Sequence, residues 1–251
     1  MTDLHCHILP GLDDGAKDLD VSGDLLRRER TAGVRRIAFT PHFHFERQDM
    51  DQFCRRRDAA MAELVQCYPE LTSQLELKKG AEVFFSPSLL ETDPRPLCLE
   101  GTGLMLVELP VTYRPQWTVD VLYQLGAMGI TPLIAHVERY PYVVENPSLL
   151  VDWIEAGAYT HVNASSLVLH KRRKVQILKM IRHGLVHFVC TDAHSPDKRP
   201  PLLGEAMELI QSRCGEQKAR QMGEIALGLW SGEQPDQPEP VPMRRLFGRW
   251  F

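Results

Sequence analysis

Residues 2–7 of the 251-residue chain read Thr-Asp-Leu-His-Cys-His, a short run that ends in two histidines. Residues 186–194 read Val-His-Phe-Val-Cys-Thr-Asp-Ala-His and repeat the pattern with a carboxylate and a histidine. Side chains alternate along a strand, so the members of each pair point to one face and Cys6 points to the other. The two stretches therefore predict strands that each carry a pair of polar groups at the carboxyl end.

Between these stretches, short runs rich in β-branched residues alternate with longer amphipathic segments. This alternation is typical of βα units around a parallel sheet or barrel. The predicted strands are residues 2–6, 36–40, 75–84, 104–109, 131–135, 159–162 and 186–191. The predicted helices are residues 19–32, 51–67, 118–128, 148–156, 172–183, 202–213 and 217–229. The sequence thus predicts an α/β fold with one barrel-like domain over residues 1–230.

The composition is that of an ordinary globular protein, with 43% apolar and 25% charged residues. A formal charge of -4 gives no sign of a nucleic-acid-binding surface, and no nucleic-acid partner is predicted. Six scattered cysteines and the lack of a signal peptide or a long apolar run predict a reducing, cytoplasmic location without a transmembrane segment. The unusual number is ten histidines.

Residues 231–251 differ in composition from the rest of the chain. Prolines alternate with polar residues after Trp230, and the chain ends in Arg-Arg-Leu-Phe-Gly-Arg-Trp-Phe. This pattern predicts a Pro-rich linker and a basic-aromatic C-terminal tail. Such a tail is either mobile or folded onto its own barrel, or it docks on a partner kinase or makes peripheral contact with an anionic membrane surface.

Histidines and acidic residues recur at the carboxyl ends of the predicted strands. Barrels build their active sites at this face from the ends of different strands, although exposed loops alone would explain any single polar residue there. Nitrogen and oxygen ligands without thiolate suit Mn, Fe, Zn or Mg. The predicted metal ligands of this kind are His5, His7, His42, Glu82, Glu108, His136, Asp192 and His194.

Three further residues lie just downstream of strand ends. Asp14, in Asp-Asp-Gly, offers one more oxygen ligand, although the tripeptide by itself indicates a turn. Arg139 and Arg199 place guanidinium groups beside the predicted ligands, where they would suit bidentate binding of a phosphate.

These motifs, in this order, resemble the polymerase and histidinol phosphatase (PHP) superfamily from about residue 1 to about residue 228. More narrowly, the chain resembles the bacterial manganese-dependent protein tyrosine phosphatases of capsule and exopolysaccharide loci. The matching motifs are His5-x-His7, Asp14, Thr-Pro-His42, Gly-Ala-Glu82, Val-Glu108, Ile-Ala-His136-Val-Glu-Arg139, Val-Asn163-Ala-Ser-Ser and Thr-Asp192-Ala-His194-x4-Arg199-Pro-Pro.

The resemblance implies a distorted (β/α)7 TIM-like barrel, the PHP fold, with three divalent metal ions at the C-terminal face of the strands. The ions are expected to be Mn, with Fe, Zn and Mg as alternatives. By resemblance, His5, His7, Glu82 and Asp192 hold the first ion, Glu82 bridges to a second held by Glu108 and His136, and Asp14, His42 and His194 hold the third. Arg139 and Arg199 line the phosphate pocket. Asp13 and His44 stay open as alternatives to Asp14 and His42.

The implied activity is hydrolysis of phosphotyrosine on a bacterial tyrosine kinase that regulates capsule or exopolysaccharide synthesis, by attack of a metal-bridging hydroxide. The phenolate leaving group has a pKa of about 10, so the need for a general acid is weak and none is assigned. The alternatives are a histidinol-phosphate-type or other small-molecule phosphomonoesterase and a non-catalytic, metal-stabilised binding module. An amidohydrolase also begins with His-x-His but commonly bridges its metals with a lysine.

A cysteine-based phosphatase is a separate hypothesis, because Cys214 and Arg220 have the spacing C-x5-R. That chemistry needs a thiolate in a loop between a strand and a helix. Here Cys214 ends a predicted helix and Gly215 is its expected cap. The context therefore disfavours a nucleophilic cysteine.

Overall fold

The structure is a computed structural model that describes residues 1–246 and 249–250. Its strands are Thr2–Cys6 (β1), Arg36–Phe39 (β2), His42–Phe43 (β3), Glu76–Lys79 (β4), Glu82–Phe84 (β5), Leu104–Glu108 (β6), Thr131–Ile134 (β7), Tyr159–Asn163 (β8), Phe188–Cys190 (β9), Arg245–Leu246 (β10) and Arg249–Trp250 (β11). Its α-helices are Leu19–Thr31 (α1), Met50–Cys67 (α2), Pro69–Thr72 (α3), Thr118–Ala127 (α4), Pro141–Glu145 (α5), Leu149–Glu155 (α6), Ala164–Val168 (α7), Lys171–Arg182 (α8), Leu203–Cys214 (α9) and Glu216–Trp230 (α10).

The first nine strands form a parallel sheet that curves into a half-barrel. One part has the order β1-β2-β4 and the other β3-β5-β6-β7-β8-β9. The predicted single strand over residues 75–84 is wrong, since β4 and β5 are separate segments around Gly80. Beside them, Pro41 divides β2 from β3, because proline has no N–H to donate to a sheet.

Backbone hydrogen bonds join the two stretches from opposite ends of the chain. The N–H of Asp192 donates to the carbonyl of His5, and the N–H of His7 donates to the carbonyl of Ala193, both at 2.9 Å. The residues that follow β9 therefore lie directly beside β1. Both predicted His and Asp pairs reach the same end of the sheet by this pairing.

A β-bulge in β1 changes the direction of its first side chains. The three-residue step from Asp3 to Cys6 pairs with a two-residue step from Ile37 to Phe39 in β2. The extra residue lets Leu4 join the apolar cluster that contains residues of β6 and β7, while the carboxylate of Asp3 accepts a hydrogen bond from the N–H of Thr191 at 3.0 Å. Bulges of this kind are common next to active sites.

The sheet is buried on both faces, as expected for parallel strands covered by helices. In β6, Met105 and Val107 belong to the larger apolar cluster that contains the buried faces of most helices. Leu104 and Leu106 alternate with them and belong to a second cluster, which includes residues of α10. We call this second cluster the inner core; it comprises Leu4, Ala38, Leu99, Leu104, Leu106, Leu133, Ala135, Tyr159, Phe188, Cys190, Ile225, Ala226, Leu229 and Trp230.

Residues 231–244 lie against the rest of the chain without regular secondary structure. The Tyr159 hydroxyl donates to the carbonyl of Pro235 at 2.5 Å, and the N–H of Val241 donates to the carbonyl of His183 at 2.8 Å. Met243 is buried. Two aromatic residues of the predicted basic-aromatic tail, Phe247 and Phe251, lie outside the described residues. Of the helices described, none combines the length and the apolar character needed to cross a membrane.

Candidate metal centre

All nine predicted ligands meet at one end of the parallel sheet, where β1, β6, β7 and β9 end and the short strands β3 and β5 lie. They form four overlapping groups in which the ligand atoms lie within 4.8 Å of one another. The groups are His7, Asp14, His42 and His194; His5, His136 and Asp192; His5, His7 and Glu82; and His42, Glu82 and Glu108. The structure thus brings together every residue of the predicted set, although it holds no ion that would assign each residue to one.

Glu82 lies at the centre of the cluster, at the start of β5. Its Oε2 is 3.2 Å from Nε2 of His7 and 3.0 Å from Nδ1 of His42, and its Oε1 is 2.7 Å from Nε2 of His136. The parallel register of β3 and β5, which pairs His42 with Glu82, explains one of these contacts. Both oxygens of this carboxylate thus face imidazoles of the predicted ligand set.

Two ligands have left-handed backbone conformations. His136 has φ 31° and Asp192 has φ 50°, and among the described residues they are the non-glycine positions with positive φ. Such conformations are uncommon for residues with a Cβ, and they cluster at functional sites because the surrounding structure must hold them. Each follows a strand, β7 or β9, and the turn of the backbone aims its side chain into the cluster.

The Asp13-Asp14-Gly15 turn supplies two carboxylates with different positions. Oδ1 of Asp14 lies 3.3 Å from Nε2 of both His42 and His194. Oδ2 of Asp13 lies 2.6 Å from Nδ1 of His7 and accepts the N–H of His42 at 2.9 Å. The turn requires glycine at position 15, because a Cβ there would approach the carbonyl oxygen of His7 to 2.2 Å.

His44, the sequence alternative to His42, lies outside the four groups. Its ring stacks on Phe84 with the centroids 4.4 Å apart. His42 instead faces Glu82, Asp14 and, at 3.9 Å, Glu108. The geometry therefore favours His42 over His44, and Asp14 over Asp13, as ligand positions.

The carboxylates of the cluster favour positive charge on their neighbours. Burial acts to lower the pKa of His42, but the nearby carboxylates of Asp14 and Glu82 outweigh it and raise the pKa to about 11. Burial likewise opposes the rise at His7, where Asp13 raises the pKa to about 9. At His5 burial dominates and lowers the pKa to about 4. The cluster as a whole attracts cations.

His5, His7 and His194 each use Nδ1 for a contact within the protein and leave Nε2 without a hydrogen bond. Nδ1 of His5 lies 2.7 Å from the Thr40 hydroxyl, and Nδ1 of His194 lies 2.9 Å from the carbonyl of Asp192. Buried polar atoms without partners are rare and costly, and metal-ligating histidines are oriented through the opposite nitrogen. The unpartnered buried atoms in the cluster are Nε2 of His5, His7 and His194, Nδ1 of His136, Oε2 of Glu82 and Oδ1 of Asp192. The donor set fits divalent cations.

Comparisons with known proteins agree with this geometry. The family model for capsular polysaccharide synthesis, CpsB/CapC, matches residues 1–224. The chain belongs to the CpsB/CapC family. This confirms the resemblance to tyrosine phosphatases of capsule loci, because the curated relatives of this family carry that name.

Two relatives and one solved structure show how far the similarity extends. Tyrosine-protein phosphatase YwqE of Bacillus subtilis is 32% identical over 260 residues, covering 99% of both chains. Tyrosine-protein phosphatase CpsB of Streptococcus agalactiae is 30% identical and covers 88% of this chain and 94% of its own length. A structure from work on YwqE and on CpsB of Streptococcus pneumoniae, described as metal-dependent tyrosine phosphatases, aligns with a TM-score of 0.90 at 29% identity, covering 98% of this chain and 100% of the other.

Both predicted phosphate-binding arginines of this CpsB/CapC member reach the same carboxylate. Arg139 donates to Oδ2 of Asp192 at 3.4 Å, and Arg199 donates to the same oxygen. Asn163 adds a third donor, at 2.5 Å. The two arginine side chains are about one third exposed, so their guanidinium groups lie between the buried ligands and solvent. This position suits a phosphate that approaches from outside.

Three residues that orient the site were not predicted from the sequence. Asp13 contacts Nδ1 of His7, and the Thr40 hydroxyl contacts Nδ1 of His5. The side-chain amide of Asn163 donates a hydrogen bond to the carboxylate of Asp192. The quoted motifs include Thr40 and Asn163, and Asp13 is named only as an alternative ligand to Asp14, but short polar residues after strands also occur in ordinary turns. Only the positions of their partners in space distinguish the two roles.

The cysteine-based alternative does not match the structure. Cys214 is the last residue of α9, and Gly215 follows it with φ 95°. Burial raises the pKa of the Cys214 thiol, whereas a nucleophilic cysteine needs a lowered one. The C-x5-R spacing in this CpsB/CapC member therefore results from an ordinary helix end.

Proposed function

We propose that the chain is a metal-dependent protein-tyrosine phosphatase whose substrate is a tyrosine-phosphorylated bacterial kinase of capsule or exopolysaccharide synthesis. The observation that carries the proposal is the cluster of buried, unpartnered ligand atoms with two half-buried arginines beside it. Such a site combines cations with phosphate-binding groups. The names of the CpsB and YwqE relatives supply phosphotyrosine as the substrate.

The site would hold three divalent ions, expected to be Mn, on the nine ligand residues. When bound, such ions act as Lewis acids on the phosphoryl group and lower the pKa of water so that it becomes a nucleophile. Glu82 is placed between two ligand groups, and Asp14 faces the outermost histidines. Asp13 and Thr40 contact Nδ1 of His7 and of His5, respectively. These contacts orient the rings so that Nε2 of each points into the site.

Arg139 and Arg199 would bind the phosphoryl oxygens. Both guanidinium groups already contact a carboxylate oxygen of Asp192, which holds them in position. Arginine matches the geometry of phosphate, and its charge offsets the negative charge on the equatorial oxygens in the transition state. A tyrosine leaving group departs as a phenolate, so the site needs no strong general acid.

The finer fold assignment is part of the same proposal. Taking β2 with β3 and β4 with β5 gives seven strand positions, and the hydrogen bonds from residues after β9 to β1 support closure into a distorted (β/α)7 barrel of the PHP type. Residues 1–230 form this barrel, and residues 231–251 form an appended segment. All six cysteines are free, which supports a cytoplasmic location.

Metal removal tests the proposal most directly. The protein is purified without chelators, its metal content is measured, and hydrolysis of a phosphotyrosine peptide is followed before and after exhaustive chelation. We expect activity to disappear on chelation and to return on addition of Mn more fully than of Mg or Zn. Activity that survives chelation would contradict metal-assisted hydrolysis.

Substitutions and other substrates separate this function from the alternatives. Arg139→Ala is expected to raise KM and lower kcat on the phosphotyrosine peptide, with Arg220→Ala as the control, because Arg220 is exposed and pairs with Glu224 on the same helix. Cys214→Ser is expected to retain full activity. Faster turnover of histidinol phosphate than of the peptide would favour the small-molecule phosphatase, and an inactive, metal-loaded protein would favour a binding module.

A further inference from the structure

The same arrangement occurs on the two neighbouring strands β3 and β5. In each case a ligand is followed, two residues later, by a ring: His42 by His44, the residue after β3, and Glu82 by Phe84, the last residue of β5. The register pairs His42 with Glu82, and side chains two residues apart point to the same face. His44 and Phe84 therefore form the next layer on the metal-facing side, toward solvent.

The intervening residues point the other way, into the larger apolar cluster that contains the buried faces of most helices. Phe43 and Val83 are fully buried there, and Phe43 contacts Phe53 of α2 with the ring centroids 5.0 Å apart. Phe85 stacks on Trp117 at 4.5 Å. Within the described part of the chain, Phe84 belongs to neither apolar cluster. Its ring is thus half-buried and lies outside both apolar clusters.

The two rings stack on each other, close to face to face. The centroids of His44 and Phe84 are 4.4 Å apart and the ring planes differ by 22°. Both side chains are half-buried. An offset stack of this kind leaves outer ring area and edges open to a further ring.

We propose that the His44–Phe84 stack is a binding subsite for the phenyl ring of phosphotyrosine. The inference rests on the proposed function and adds the group that selects an aryl over an alkyl phosphate. Two residues along a strand advance by about 6.7 Å, which separates the phosphoryl layer at His42 and Glu82 from the ring layer. A phosphotyrosine whose phosphoryl group reaches the ligands has its ring at the level of the stack.

Backbone hydrogen bonds hold this surface before any substrate binds. The N–H of His44 donates to Oε1 of Gln48 at 2.9 Å, and the N–H of Gln48 donates back to the carbonyl of His44 at 3.0 Å. On the other strand, the N–H of Phe85 donates to the carbonyl of Glu108 at 2.8 Å. A surface fixed in this way loses little conformational freedom on binding, so most of the stacking energy contributes to affinity.

The test compares two non-hydrolysable ligands that share a phosphonate group and differ in the ring. Dissociation constants of phenylphosphonate and methylphosphonate are measured by calorimetry on the metal-containing protein, for wild type and Phe84→Leu. Loss of one aromatic pair corresponds to a roughly three- to tenfold weaker interaction. We expect this loss for phenylphosphonate and an unchanged constant for methylphosphonate.

Two further variants serve as controls. Phe84→Trp keeps an aromatic ring and is expected to retain the preference for phenylphosphonate. Tyr123→Leu removes an exposed ring on α4 and is expected to change neither constant. Metal content is measured for each variant, since Phe84 lies two residues from Glu82.

The outcomes separate the subsite from the function on which it rests. Equal weakening of both phosphonates, or no change for phenylphosphonate, would overturn the subsite. Wild-type protein that binds both phosphonates but does not hydrolyse a phosphotyrosine peptide would overturn the proposed function instead. A ring preference lost in Phe84→Leu and retained in Phe84→Trp would support the subsite.

Discussion

The two ends of the strands differ in what they place inside the sheet. In β6, Leu104 and Leu106 belong to the inner core, whereas Glu108, two residues further along the same face, belongs to the metal centre. In β7 and the residue after it, Leu133 and Ala135 belong to the inner core, and His136 follows them. One short strand thus serves packing at its start and chemistry at its end.

The inner core and the metal centre also differ in whether their buried polar side-chain atoms have hydrogen-bond partners within the protein. No described residue of the inner core has a buried side-chain nitrogen or oxygen without a hydrogen-bond partner, whereas six ligands of the metal centre each have one. Apolar burial is complete within the protein, but unpartnered polar atoms are costly unless a ligand satisfies them. We infer that stability comes mainly from the two apolar clusters, to which the inner core contributes at this end, and that the metal centre is maintained for function.

The largest effect that this contrast predicts is on activity at the metal centre. Glu82→Gln removes the central charge and is expected to lower kcat/KM on a phosphotyrosine peptide by about 10³-fold, because one ligand contributes several kcal/mol to the transition state. Far-UV circular dichroism and bound metal are measured in parallel. An active Glu82→Gln variant with wild-type metal content would contradict the conclusion that the metal centre carries the chemistry.

The next effect is on stability at the inner core. Leu106→Ala is expected to lower the free energy of unfolding by about 2–4 kcal/mol, because it leaves a cavity in a packed region. Activity per folded molecule should stay within about twofold of wild type. Urea denaturation gives the first quantity and initial rates at low denaturant give the second. A large loss of kcat at unchanged stability would show that the two ends are not separate.

Histidines differ between the two ends as well. Burial lowers the pKa of His187, which precedes β9, to about 3, below the ordinary value of 6.5. The unfolded chain then binds more protons between these values, so stability is lost as the pH falls below about 6.5 toward 3.

The change in stability with pH measures this contribution. Between pH 7 and pH 5 wild type should lose roughly 2 kcal/mol more than His187→Asn, and the exposed His170→Asn should behave as wild type. Parallel stability profiles for wild type and His187→Asn would contradict a neutral, buried His187.

The smallest effect concerns residues 231–244, which contact the first residue of β8, Tyr159. Tyr159→Phe removes the hydrogen bond to the carbonyl of Pro235 and is expected to cost about 1 kcal/mol of unfolding free energy. Metal content and activity should not change. Increased proteolysis after residue 230 in the variant would show that this contact holds the segment in place.

The sequence predicted the βα alternation and the set of residues that meet at the metal centre. His5 and His7 follow from strand alternation, and a parallel sheet brings strand ends together wherever they lie in the chain. These inferences depend on periodicity and connectivity, which the sequence contains directly.

The parts that escaped prediction depend on backbone geometry and on contacts between distant residues. Nothing in the sequence indicates positive φ at His136 or Asp192, since glycine is the usual signal. The bulge in β1 shifts the register by one residue, and no pattern in residues 2–6 marks it. The different roles of Asp13 and Asp14 depend on their contacts in space: Asp13 faces Nδ1 of His7, whereas Asp14 faces Nε2 of His42 and of His194.

The pairing of β1 with the residues after β9 has a consequence for biosynthesis. His5 and His7 leave the ribosome early, but Asp192 and His194, which lie beside them, are made nearly 190 residues later. Closing so long a loop has an entropic cost that grows only slowly with length, so ions that bind both pairs can offset it. A nascent chain would therefore complete the proposed metal site only after residue 194 is made, and ions bound there would link β1 to the residues after β9.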